Sequence, residues 1–185
     1  MPKREIIRSM LTEGRGRLSR GRAAEVADIV LAQPKEASRL IECLWDEDPG
    51  IVNRAADALE RASRDLPSIL ESWKAPLLGL LPEAAQNKLR WNLALIVPRL
   101  ALTVPESRRA AATLQTWLED RSSIVKTCAM QGLTELAGQN PSLRPEVLDL
   151  LRILSRSGTP AMRARGRILL RRLEAGEVRR DSAGL

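Results

Sequence analysis

The chain has 185 residues and a net charge of +7, with thirty Lys and Arg, four Trp and no His, Phe or Tyr. The absence of histidine removes the commonest general base and metal ligand. No run of about eighteen apolar residues is present to span a membrane. Leu, Ala, Arg and Glu dominate, all good helix formers, and no segment shows the period-two alternation of a strand.

The charge is uneven. Residues 1–22 carry seven Lys/Arg against two Glu, and residues 156–185 carry eight Arg against three acids. Residues 23–155 carry fifteen basic and eighteen acidic residues. Residues 1–21 therefore read as a basic, flexible arm. Ile6, Ile7, Met10 and Leu11 form a short amphipathic turn in it, which either frays against the first helix or docks on an apolar groove, its own or a neighbour's, and "EGRGRLSRG" reads as a linker. The N-terminus has no signal-peptide pattern. Cys43 and Cys128 have no metal or redox spacing and read as small buried thiols. Together these features predict a soluble, cytoplasmic protein. Residues 177–185 read as a flexible tail, which leaves one domain over 22–176.

That domain reads as helices throughout. A capping helix is predicted over 22–33, and first helices of hairpins over about 35–46, 67–81, 105–119 and 143–156. Between them a second helix recurs. From Ile51, the offsets +4, +7, +8 and +11 give Ala55, Ala58, Leu59 and Ala62. From Leu89 they give Leu93, Ile96, Val97 and Leu100, and from Val125 they give Ala129, Gly132, Leu133 and Leu136. From Met162 they give Gly166, Leu169, Leu170 and Leu173. These offsets trace one helical face. The starts lie 38, 36 and 37 residues apart, the signature of a repeat. The stripe is thin at Ala129 and Gly132, which predicts close backbone approach to a neighbouring helix that supplies the bulk. Helix starts are marked by Asp48 before Pro49, Thr159 before Pro160, Asn140 before Pro141, and a Thr103/Glu106 capping box. The run Asp46, Glu47, Asp48 reads as capping rather than a cation site.

"IVNRAADALERA", "IVKTCAMQGLTELAG" and "AMRARGRILLRRLE" resemble the second helix of HEAT repeats. The apolar-basic pair of that family stands at 89–90, 125–126 and 162–163, with Val52 departing from it, and Pro76 resembles the proline of its first helix. The resemblance covers roughly 34–176. It implies an all-α fold, a right-handed α-α superhelix or solenoid of about four HEAT-like, armadillo-type hairpins.

For function, the resemblance implies a non-catalytic interaction or scaffold module that binds a protein or peptide on its inner surface. The alternative is nucleic-acid binding through the basic termini, although no continuous basic stripe links them. HEAT-like DNA glycosylases and phycobilin lyases resemble the fold, but no Trp-Asp-Arg constellation or chromophore site of theirs is found. No enzyme, cofactor or metal is expected. One surface stands out. Residues 88–102 are apolar almost all round, and Pro98 should kink that helix and leave the Ala94 carbonyl short of a partner. This predicts an inner-surface partner site with an apolar centre of Trp91, Leu95, Pro98 and Leu102. Its expected rim is Asp57, Arg61, Thr127 and Gln131.

Overall fold

The structure, a computed structural model, describes residues 3–14 and 20–176. The predicted tail at 177–185 and the middle of the predicted linker lie outside those residues. Among the described residues there are helices and 3-10 turns and no strands. No helix is long and apolar enough to cross a membrane. The chain divides into two compact units, Met1–Leu100 and Ala101–Leu185.

The first unit holds α1 (Lys3–Thr12), α2 (Ala23–Ala32), α3 (Ala37–Glu42), α4 (Pro49–Asp65), α5 (Lys74–Glu83) and α6 (Asn87–Ile96). α2 is the expected capping helix. Around α3, 3-10 turns at Pro34–Glu36 and Cys43–Trp45 complete the first predicted hairpin arm, and Pro67–Trp73 leads into α5. α4 is the centre of this unit, packed between α2 and α6 with α1 and α3 against it. Its stripe Ile51, Ala55, Ala58, Leu59 and Ala62 is buried, as are Leu89, Leu93, Ile96, Val97 and Leu100 of the next repeat. Asp48 caps α4, accepting from the Gly50 amide at 2.7 Å.

Two sequence expectations change here. The basic arm is helical over Lys3–Thr12 and docked: Ile7, Met10 and Leu11 are buried while Ile6 is exposed. Arg54 of α4 donates from Nε to the Leu11 carbonyl, and Arg8 pairs bidentately with Asp46 at 2.7 and 3.1 Å. Gly21 closes the return to α2. Its φ of +48° is left-handed, and a Cβ there would lie 2.0 Å from the Glu13 carbonyl oxygen. Apolar burial and a buried guanidinium on a helix-end carbonyl outweigh the entropy that would favour a free arm. The second change concerns residues 88–102. α6 stops at Ile96, and a 3-10 turn occupies Val97–Arg99. Pro98 has no N–H to give an α-helix, so the chain ends the helix there instead of kinking it.

The second unit holds α7 (Val104–Thr116), α8 (Ser123–Gln139), α9 (Arg144–Ser157) and α10 (Pro160–Glu174). α8 packs on α7, α9 and α10, and α9 pairs with α10. The Thr103/Glu106 capping box opens α7, with both reciprocal hydrogen bonds present at 3.4 and 2.7 Å. Thr159 caps α10 and Asn140 caps the turn before α9. Close approach through a small stripe residue is seen at Gly166. A Cβ on Gly166 would sit 3.2 Å from Met130 of α8 and 3.3 Å from Ser155 of α9, so α10 is held close to both by the missing side chain. Cys43 is buried as expected, whereas Cys128 is half-buried.

Candidate functional site

The eight residues predicted to form a partner site are divided between the two units, five in the first and three in the second. In the first, α4 supplies Asp57 and Arg61, and the neighbouring α6 supplies Trp91 and Leu95; all four are half-buried. Asp57 Oδ2 and Arg61 Nε lie 3.5 Å apart, a one-turn pair along the helix. Trp91 and Leu95, four residues apart, share one face of α6. Pro98 departs from the expectation: it is buried in the 3-10 turn and presents no surface.

In the second unit Leu102 is half-buried in the stretch before α7, not on a helix. Thr127 is half-buried, and its hydroxyl donates back to the Ser123 and Ile124 carbonyls, both at 3.0 Å. Gln131 is buried and engaged at both ends of its amide. Its Nε2 donates to Glu135, and its Oε1 accepts from Arg165 Nη2 at 2.5 Å. It ties α8 to α10, which corrects its assignment as an open rim residue.

Within the first unit the structure adds residues that the sequence reading passed over. Lys88, in the first turn of α6, is 4% exposed, and its Nζ has no hydrogen-bond partner among the described residues. Asn53 of α4 is 5% exposed with its Oδ1 unpartnered. Burial holds the Lys88 ammonium below its ordinary range; Asp57 pulls the other way, and Arg20, Arg54 and Arg61 add to the lowering. A signal was present. The residue just before the four stripe starts is Gly50, Lys88, Ile124 and Ala161, so Lys88 alone puts a charge there.

Next to this group lies a closed polar cluster. Glu60 of α4 is buried and accepts from Arg99 Nη2 at 2.6 Å and from Arg64 Nη2 at 2.7 Å. Arg99 Nη1 also donates to the Glu60 carbonyl at 2.7 Å and to Ser63 Oγ at 2.8 Å. These groups satisfy one another. Among the described residues no group of three or more Cys, Asp or Glu is placed to hold a metal ion.

The recurring hairpins define an all-α repeat solenoid of the armadillo/HEAT-like kind. Two solved structures share it: a designed armadillo repeat protein at TM-score 0.60 and 16% identity, and a second designed armadillo repeat protein, in complex with the peptide (KR)4, at TM-score 0.59 and 13% identity. Each match covers 90% of this chain and 80% of the other. No family model matches the chain, and no curated protein does.

Proposed function

We propose that this chain is a non-catalytic binding module that takes an extended peptide segment of a protein partner along α4 and α6 of its first unit. The observation that carries this reading is the row of Trp91 and Leu95 on α6, a helix packed on α4, which carries the Asp57–Arg61 pair. Half-buried apolar side chains with a polar margin on rigid helices are the composition of a recognition surface, and Trp is the residue most enriched at binding hot spots. The likeness to a repeat protein in complex with a peptide supports the same reading.

The test is a random peptide display library selected on the whole chain and, in parallel, on the Trp91→Ala/Leu95→Ser variant. The wild type should enrich peptides. The variant should stay folded by circular dichroism and bind the enriched peptides about thirtyfold or more weakly, the scale of a hot-spot truncation. Failure of the wild type to enrich any peptide, or equal binding by a folded variant, would overturn the proposal.

A further inference from the structure

The polar groups around Lys88 indicate which kind of peptide the face takes. Lys88 carries three donors and no acceptor. At 4% exposure none of the three is used. An ammonium in that state is expensive, because it has lost water and gained nothing in return. Its natural counter-ion, Asp57, lies 3.5 Å from Arg61 through Oδ2, an ion pair in which neither Oδ2 nor the Arg61 Nε makes a hydrogen bond among the described residues. Arg20, Arg54 and Arg61 all act on Lys88 with the same sign as its own charge. Of the charged groups that act on Lys88, three guanidiniums oppose its positive charge and one carboxylate, Asp57, favours it.

The backbone adds to that opposition. Lys88 is the second residue of α6, and Gln86, the residue that caps this ten-residue helix, makes no side-chain capping bond. The positive end of the helix is thus presented where Lys88 begins, which disfavours a cation and favours an anion. Asn53 has a second unpartnered polar atom, its Oδ1, on the facing helix. It accepts hydrogen bonds, as peptide backbone N–H groups require.

We propose that Lys88 is the receiving group for a carboxylate, so that the peptide bound along α4 and α6 is acidic at the residue reaching Lys88 and apolar at the residues beside Trp91 and Leu95. This rests on the peptide-binding reading above and adds the chemistry of the partner. Lys88 is covered in this structure, so this binding mode requires its four-carbon stem to turn outward to the ligand. That movement breaks no hydrogen bond, because Nζ makes none. It rehydrates the ammonium on the way and ends in a charge-assisted pair. The neighbouring Glu60 does not compete, since Arg99 and Arg64 already hold it. The expected partner is thus opposite in charge to the (KR)4 peptide bound by the designed repeat protein of the same fold.

The composition of the library-selected pool tests this. The wild-type pool should carry Asp or Glu at one fixed position with apolar residues following. A synthetic peptide of that consensus should bind Lys88→Met about tenfold or more weakly, and Lys88→Arg should recover most of the loss. Asp57→Asn, which removes the competing carboxylate, should tighten it. A pool rich in Lys and Arg, a pool without charge preference, or an acidic pool whose binding ignores Lys88→Met would overturn this inference while leaving peptide binding intact. No enrichment at all would overturn both. Lys88→Met removes an unpaired buried charge, so loss of folding is not the expected outcome, and circular dichroism of each variant checks it.

Discussion

Arg99 and Glu60 meet at 2.6 Å, Nη2 to Oε1, and so join the turn after α6 to the middle of α4 across 39 positions of sequence. Both side chains are largely out of solvent, 17% and 7% exposed, whereas Arg64, the second cation on Glu60, is 64% exposed. The two pairs should therefore differ in weight. Glu60→Ala strands the Arg99 guanidinium and is expected to cost about 3–5 kcal/mol. Arg64→Ala removes an exposed partner and should cost about 0–1 kcal/mol. Urea denaturation at neutral pH measures both; equal losses would contradict the assignment of Arg99 as the principal partner.

The docking of α1 should depend on acid. The Arg8 guanidinium, hydrogen-bonded to Asp46, holds that carboxyl below its ordinary value of 3.8. A lowered folded value means that this pair's contribution is fully present above about 3.8 and is lost as pH falls through the folded value. Asp46→Asn should destabilise the chain at pH 7, and the difference from wild type should vanish at the acid end. A difference that is constant with pH would sink the claim.

Lys88 should show the opposite dependence. Its folded value lies below the ordinary 10.5, chiefly through desolvation. The unfolded chain therefore holds the proton more tightly, and stability due to this group rises with pH from the folded value up to about 10.5. Lys88→Met should raise the denaturation midpoint at pH 7, and its advantage over wild type should shrink on the alkaline side. A variant less stable than wild type at pH 7 would show that the ammonium is satisfied after all.

Two glycines in helices should respond in opposite directions. Gly79 in α5 is exposed, and a Cβ there would meet nothing within 4 Å, so Gly79→Ala should stabilise by about 0.5–1 kcal/mol. Gly166 faces Met130 and Ser155 at 3.2–3.3 Å, so Gly166→Leu should cost about 1–3 kcal/mol by overpacking. Thermal melts of the two variants check the pair.

What could be read from the sequence was local. Asp48, Thr103 and Thr159 each cap a helix two or three residues away, so the motif contains its own partner. The stripes from Ile51, Val125 and Met162 repeat with the helical period and are buried as a row, Leu170 alone being half-buried. What escaped depends on residues far apart in the chain. Leu11 is buried, and its carbonyl accepts from Arg54, 43 positions on. Gln131 looked like surface because its offset faces away from the stripe, yet Arg165, 34 positions later, occupies it. The helical period placed Trp91 and Leu95 on one face of α6 and Asp57 and Arg61 one turn apart on α4, where all four are half-buried. The burial of Lys88 was not legible, because a lysine beside an apolar stripe ordinarily snorkels to water, and its cover comes with the packing of α6 on α4.

α1 has a consequence for self-association. A helical repeat has an apolar side that must be covered by the next element, and an array whose last such side is bare adds further copies of itself. α1 buries Ile7, Met10 and Leu11 on its partners and turns Arg8, Ser9 and Thr12 outward. It covers apolar surface of α2, α3 and α4. Removing residues 1–12 would uncover the apolar flank of α2 and α4 and make the chain its own template. The expected sign is a concentration-dependent series of higher oligomers on sizing columns, with helicity retained. Leu11→Glu should produce the same series without any truncation.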